Sequence, residues 1–222
     1  MSDFLFQIQN QFQQHANIEI AQAQSQYMKN KFEFFGIKSP LRRELQKPFL
    51  LTKYIPPKKD LDSIVKTLWL KPQRELHYFT QELVKKYTNQ LELSDIDLFE
   101  FMIINNSWWD SVDFIAPNLI GVYFKKYPKQ RDIYVKKWLQ SNNIWLQRTC
   151  LLFQLKYKQD LDTILLAEVI HKLLGSKEFF INKAIGWILR EYSKTNPNWV
   201  LEFVAKTNLS NLSRREAIRL IK

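Results

Sequence analysis

The sequence predicts an all-α fold, an α-solenoid of about six HEAT-like helix pairs. Glycine occurs only at Gly36, Gly121, Gly175 and Gly186, which argues against a turn-rich β architecture. Most of the eight prolines stand where apolar helical stretches begin or are separated. A short motif also recurs at intervals typical of two-helix repeats. These three observations together favour stacked helices.

Helix-start signals run along the whole chain. Each combines a small polar residue with a proline or an acid, at Ser39-Pro40, Ser94-Asp95, Asn196-Pro197 and Ser213 with Glu216, the last as a capping box. Apolar residues follow each signal with helical spacing. The pattern predicts about eleven or twelve helices.

The recurring motif is a basic residue followed two positions later by an apolar one, in LRREL, PQREL, LQRTC, INKAI and SRREAI. SVDFI fills the remaining slot with an acid. The slot residues are Arg43, Arg74, Asp113, Arg148, Lys183 and Arg215, at spacings of 31, 39, 35, 35 and 32 residues. The apolar partners, predicted to point into the stack, are Leu45, Leu76, Ile115, Cys150, Ile185 and Ala217.

Equivalent residues of stacked repeats lie on the same side, so the slot should form a ladder along one surface, a concave basic groove. Five cationic slots around one carboxylate favour an anion-binding groove with a special position at Asp113. The alternative is that slot cations pair with acids of neighbouring repeats and only stabilise the stack.

Composition limits the class of protein. The 222 residues show no compositional division, so we expect a single domain over residues 1–222. The one cysteine, Cys150, the lack of a signal-like leader and the lack of a bilayer-length apolar run favour a reducing cytoplasmic setting with no membrane partner. We expect a monomer in the bacterial cytosol or nucleoid. The net charge of +11 favours a polyanionic partner, although solvated basic faces are also common.

The segment NNSWWDSVD, residues 105–113, carries the most specific chemistry. We take Asp110 as a helix N-cap and Asp113 as the third helical residue, where an acid often only stabilises the helix dipole. Trp109, however, lies four residues before Asp113 on the same face. Trp108 should then pack in the core, and Pro117 should make the helix irregular.

Trp187 lies one turn beyond the Lys183 slot, and it is predicted either to face the groove or to pack between repeats.

If the polyanion in the groove is DNA, a carboxylate there is repelled by the phosphates and needs a compensating use. Cleavage of an N-glycosidic bond develops positive charge on the sugar, which a carboxylate and aromatic faces stabilise. No histidine has metal-ligand spacing and no phosphate-binding glycine loop is present, so we expect no metal and no organic cofactor.

Five segments are similar to the AlkD family of DNA alkylation repair glycosylases: WWDSVD, NIWLQR, LLFQLKYKQ, SKEFF and AIGWILREYSKTNP. The likeness runs from QYMKNKF and GIKSP to the terminal REAI and covers essentially the whole chain. The resemblance implies a HEAT-repeat enzyme that hydrolyses the glycosidic bond of cationic N3- and N7-alkylated purines in duplex DNA, without base flipping. The implied process is base excision repair by a monofunctional glycosylase.

The resemblance also implies roles for individual residues. The catalytic residues would be Asp113, Trp109 and Trp187, and the DNA-binding residues would be Arg148, Tyr27, Lys38, Ser39, Arg43, Lys183 and Arg190. Lys38 places a charge where the family pattern has an uncharged polar side chain. The expected partner is double-stranded DNA carrying alkylated purines. Two alternatives remain open: a non-catalytic binder of distorted DNA, and a helical-repeat adaptor for an acidic protein.

Overall fold

The computed structural model describes residues 2–221, which form helices joined by turns, with no β-strand among them. This confirms the all-α class. The chain divides into two compact units between Glu92 and Leu93. The single domain over residues 1–222 stays a prediction. Within the described range, no helix combines the length and the apolar character needed to cross a bilayer.

The first unit packs around one aromatic ring. Its helices are α1 (Ser2–Gln13), α2 (Ile18–Tyr27), α3 (Ser39–Gln46), α4 (Leu61–Trp69) and α5 (Arg74–Lys85), with 3-10 turns at Lys47–Leu50, Lys58–Asp60 and Thr88–Gln90. Phe79 of α5 is fully buried, and its ring lies 6.1 to 6.5 Å from the rings of Phe4, Phe12 and Phe49. Clustered rings at such distances add specific contacts to the burial of apolar area.

A buried carboxylate fixes the turn before α3. Glu75 is 1% exposed and accepts backbone hydrogen bonds from Phe35, Gly36 and Ile37, each at 3.0 Å. Gly36 has φ 90°, and a Cβ there would lie 1.9 Å from the Asn17 carbonyl oxygen, so no other residue fits. The turn therefore delivers the chain to the start of α3 in a defined position.

The second unit contains the remaining helices. They are α6 (Asp95–Ile104), α7 (Trp109–Ile115), α8 (Gly121–Lys126), α9 (Pro128–Gln140), α10 (Ile144–Leu152), α11 (Thr163–Leu173), α12 (Phe179–Ser193), α13 (Pro197–Lys206) and α14 (Asn211–Ala217), with a 3-10 turn at Lys158–Asp160. The ring of Phe124 packs 5.2 Å from Phe153 and 5.8 Å from Trp138, and all three are buried.

Side-chain caps start several of these helices. Asn143 caps α10, Asp162 caps α11 and Asn196 caps α13, each by accepting a backbone N–H of the first turn. The Asn196 signal is thus confirmed. The predicted capping box of Ser213 with Glu216 is wrong, because Ser210 caps α14 and accepts the Ser213 N–H at 3.2 Å.

The helix that begins with α7 is irregular, as predicted from Pro117. Residues Ala116–Ile120 form a π-helical segment between α7 and α8. Proline has no N–H to complete an α-helical hydrogen bond, and a wider turn accommodates the gap. The carbonyl of Gly121, where α8 begins, accepts a 2.6 Å hydrogen bond from the Tyr157 hydroxyl.

The motif helices of the second unit pack in series: α7 against α10, α10 against α12, and α12 against α14. This packing confirms the repeat prediction within this unit. The apolar motif residues Leu76, Ile115, Cys150, Ile185 and Ala217 are at most 1% exposed, whereas Leu45 is half-buried. The apolar part of the motif therefore identified core positions.

Candidate functional site

Helix α7 presents Trp109 and Asp113 on one face. Trp108 is the N-cap, with extended backbone angles of φ −155° and ψ 166°, and the helix begins at Trp109. The predicted N-cap, Asp110, lies instead in the first turn. Asp113 is four residues beyond the helix start, outside the three positions at which an acid meets unpaired N–H groups. The helix-capping explanation of Asp113 is therefore wrong.

Arg148 of α10 binds Asp113 through both carboxylate oxygens. Its Nε donates to Oδ1 at 2.8 Å, and its second terminal nitrogen donates to Oδ2 at 2.9 Å. The other terminal nitrogen donates to the carbonyl oxygen of Phe180 in α12. The side chains of Arg148 and Asp113 are 3% and 17% exposed. One guanidinium thus links the three helices α7, α10 and α12.

Two opposing effects act on the Asp113 carboxyl group. Burial raises its pKa, while the hydrogen bonds and positive charge of Arg148 lower it and the charge of Asp110 raises it further. The net direction is upward. The bidentate geometry requires both oxygens to accept hydrogen bonds, which is the geometry of the ionised form. Arg148 therefore holds a carboxylate in a place that burial makes unfavourable for charge.

An aromatic cluster packs beside this ion pair. The ring of Trp108 lies 5.6 Å from Trp145 and 5.1 Å from Phe180, and Trp145 lies 5.2 Å from Phe180. Trp108 makes these ring contacts yet is half-buried, like Trp109, so it lies at the edge of the core rather than within the core as predicted. Trp145 lies in the segment NIWLQR and Phe180 in SKEFF, two of the segments that resemble the AlkD family. The sequence alone had assigned neither residue a role.

Four residues of α12 share one helical face: Phe180, Lys183, Trp187 and Arg190. Trp187 is half-buried, as is Trp109 on α7. Both tryptophans stand on helices that pack against α10 and that Arg148 links by hydrogen bonds. The arrangement places two aromatic side chains on the helices that hold the Asp113 and Arg148 pair.

The two cations on this face share a carboxylate that the sequence reasoning missed. Glu216 of α14 accepts from the Lys183 ammonium at 2.8 Å and from an Arg190 terminal nitrogen at 2.5 Å. The hydrogen bond from Lys183 lowers the pKa of the Glu216 carboxyl most, and the charges of Lys183 and Arg190 lower it further. The sequence did contain a signal for this ion pair, because Glu216 lies 33 residues after Lys183, a separation close to the repeat length.

The predicted ladder of slot residues needs correction. Arg74 is fully buried, donates to His77 Nδ1 at 3.0 Å and lies over the Phe32 ring, so its place on a surface ladder is wrong. Arg148 and Lys183 pair with Asp113 and Glu216, which confirms the alternative that slot cations pair with acids of neighbouring repeats. Arg215 is exposed, and its buried neighbour Glu216 faces Lys183 instead.

The remaining predicted DNA-binding residues belong to the first unit. Tyr27, at the end of α2, is 73% exposed. Lys38 and Ser39, which follow the turn held by Glu75, are exposed, and so is Arg43 on α3. Arg42, beside Arg43, is instead buried and paired with Glu82 at 3.1 Å. The four predicted DNA-binding residues of the first unit are therefore all exposed.

Comparison with known proteins agrees with this architecture. The family model of DNA alkylation repair enzymes matches residues 8–221. A solved structure described as a predicted DNA alkylation repair enzyme from Enterococcus faecalis is similar, with a TM-score of 0.86 and 33% sequence identity over 93% of this chain and 96% of that one. A comparison with curated proteins gives no match. With a family match over nearly the whole chain, this protein belongs to the DNA alkylation repair enzyme family.

Proposed function

We propose that the protein is a monofunctional DNA glycosylase. It hydrolyses the N-glycosidic bond of cationic N3- and N7-alkylated purines in duplex DNA, without flipping the base into a pocket, as a step of base excision repair. It acts as a monomer and needs no metal or organic cofactor. Family membership supports alkylated DNA as the partner. The substrate class and the chemistry rest on the candidate site.

The observation that carries the proposal is the Asp113 carboxylate. It is mostly buried, is held in its ionised geometry by Arg148, and lies one helical turn from Trp109. Two of its roughly four acceptor positions are used by Arg148, which leaves acceptor capacity for a water molecule or a sugar. A protein rarely keeps such a charge buried without a use, because desolvation is costly.

The chemistry follows from the charge of the substrate. The bond between C1′ of the deoxyribose and the alkylated purine breaks, and its electron pair leaves with the base and cancels the positive charge of the base. The sugar becomes an oxocarbenium ion, which the nearby carboxylate oxygens of Asp113 stabilise. A water molecule adds to C1′ and releases a proton to solvent. The purine leaves as a neutral molecule, so no general acid is required.

The aromatic and basic residues supply the remaining functions. Trp109 and Trp187 offer ring faces to the lesion-bearing sugar, where the negative face of the ring favours a cation. Lys183, Arg190, Arg148 and, in the first unit, Tyr27, Lys38, Ser39 and Arg43 contact the DNA backbone. The net charge of +11 supports association with a polyanion. In this proposal the charge of Asp113 lies close to the sugar as the sugar becomes positive.

A direct assay tests the function. The protein, in excess, is incubated with duplex DNA containing N7-methylguanine, and the release of the free base is measured by chromatography against an unmethylated duplex. Release is expected from wild type. Binding of the duplex with steep salt dependence but without release would instead favour a non-catalytic DNA binder. Absence of DNA binding would favour the adaptor for an acidic protein.

A further inference from the structure

The last helix, α14, sends one side chain to the face of α12 that carries Trp187. Glu216 is 6% exposed as a residue and has a cation on each carboxylate oxygen, Lys183 on one and Arg190 on the other. The three residues Lys183, Trp187 and Arg190 follow one another at four and three positions, so Trp187 stands between the two cations along the same face.

The crossing of α12 and α14 is held independently of this ion pair. A Cβ at Gly186 would lie 2.5 Å from the Cβ of Glu216 and 2.9 Å from the Ser213 carbonyl oxygen, so the two helices touch there with no room for a side chain. The Ser213 hydroxyl donates to the Asn182 carbonyl at 2.8 Å. These contacts already fix α14 on α12. The charge of Glu216 is therefore available for another purpose.

Both cations keep capacity for a second ligand. The side chains of Lys183 and Arg190 are 39% and 23% exposed, and each donates once to Glu216. An ammonium has three donors and a guanidinium five, so further donors remain on both. A long basic side chain tied at one donor loses much of its rotamer freedom before a ligand arrives, which lowers the entropy that binding would cost.

We propose that Glu216 is a positioning residue that holds Lys183 and Arg190 on either side of Trp187, so that the two cations grip DNA phosphates with the sugar of the damaged nucleotide against that ring. The inference rests on the proposed function and deepens it. Glu216 itself opposes binding, because its carboxylate competes with phosphate for the donors of the two cations. Glu216 favours catalysis instead, because the two cations it holds fix the bound sugar against the Trp187 ring. Such positioning raises the rate at which the bound complex reacts.

Removal of the Glu216 charge should raise the affinity for DNA and lower the rate of base excision. In Glu216→Gln one oxygen remains to accept, so one of the two cations loses its partner while the size of the side chain is kept. Affinity for undamaged duplex should rise about threefold, since the carboxylate no longer competes with phosphate for the two cations. Release of N7-methylguanine at saturating protein should fall about fivefold, since the cations no longer fix the sugar. Mere loosening of the fold would lower both.

The test is a double-mutant cycle. Glu216→Gln is compared with wild type, and again in a background that carries Lys183→Met and Arg190→Met. If Glu216 acts through the two cations, the substitution changes neither affinity nor single-turnover rate in that background. Asp160→Asn, which removes the exposed partner of Lys125 at 2.8 Å, is the matched control and should leave both quantities within about twofold of wild type.

Equal effects of Glu216→Gln in both backgrounds, or an unchanged single-turnover rate in the wild-type background, would overturn the proposal. Thermal melts accompany every variant, and Glu216→Asp, which keeps the charge on a shorter side chain, replaces Glu216→Gln in the cycle if that variant melts below the assay temperature. Failure of the proposed function is recognisable separately, because wild type then releases no base. The affinity cycle on undamaged duplex would still decide whether Glu216 acts through Lys183 and Arg190.

Discussion

Arg148 donates two hydrogen bonds to the two carboxylate oxygens of Asp113, at 2.8 and 2.9 Å, from a side chain that is only 3% exposed. The same guanidinium reaches the Phe180 carbonyl, so its donors are largely committed within the protein. Arg148 was expected from the resemblance to bind phosphate. Its geometry adds a second task, which is to hold the carboxylate of the candidate site.

The first prediction concerns this task. Arg148→Ala leaves a mostly buried carboxylate without its partner and should lower the free energy of unfolding by about 3 kcal/mol. The double substitution Asp113→Asn with Arg148→Met removes both charges and should recover much of that loss. Chemical denaturation of the three proteins measures the effect. An Arg148→Ala protein as stable as wild type would contradict the structural role of the pair.

The second prediction separates catalysis from stability at Asp113. Asp113→Asn keeps the size of the side chain but removes the charge, so single-turnover release of N7-methylguanine should fall about 10²-fold or more. DNA affinity should be unchanged or tighter, because a repulsion with phosphate is lost. Asp110→Asn, in the first turn of the same helix, is the control and should excise within about twofold of wild type. Wild-type excision by a folded Asp113→Asn protein would end the catalytic assignment.

The third prediction concerns the charge of the leaving base. A site with one carboxylate and no general acid cannot assist a neutral base to leave, so uracil and hypoxanthine should be released at least about 10²-fold more slowly than N7-methylguanine from the same duplex context. Base release is followed by chromatography under single-turnover conditions. Comparable release of uracil would show that a proton donor acts in the site.

The fourth prediction links Glu216 to acid stability. Lys183 and Arg190 lower the pKa of its carboxyl in the folded state, so the folded state binds the proton more weakly than the unfolded chain does. The stabilising contribution is therefore complete above the unfolded value of about 4.3, and it is lost as the pH falls through the lower folded value. The difference in melting temperature between wild type and Glu216→Gln should be largest near neutral pH and should shrink below about pH 4. A pH-independent difference would contradict this linkage.

Local signals in the sequence predicted much of the fold. The cap at Asn196, the irregularity at Pro117 and the burial of Ile115, Cys150 and Ile185 all depend on residues close in sequence. Each is a consequence of helical spacing or backbone chemistry, which a sequence shows directly.

Charge pairing could not be predicted in the same way. The motif LRREL contains two adjacent arginines, and the structure buries Arg42 while Arg43 is exposed. Near the end of the chain, Arg215 and Glu216 are also adjacent, and the acid is the residue that faces α12. A one-residue change rotates a side chain by about 100° around a helix, so the choice between neighbours depends on tertiary packing. For that reason two of the cations predicted for the ladder, Arg148 and Lys183, lie in ion pairs instead.

The π-helical segment Ala116–Ile120 decides where this region of the gene can lose a codon. A π-helical turn holds one residue more than an α-helical turn but rotates and rises by nearly the same amount, so deleting one residue there would close the wide turn into a regular helix and keep the faces of α7 and α8 in register. Gly121 would then stay beside the Phe153 carbonyl, where a Cβ would lie only 2.4 Å from the oxygen. Deleting one residue within α7 would instead rotate everything after it by about 100° and bring a larger side chain to that place. Single-residue deletions should therefore be tolerated in the π-helical segment and selected against in α7.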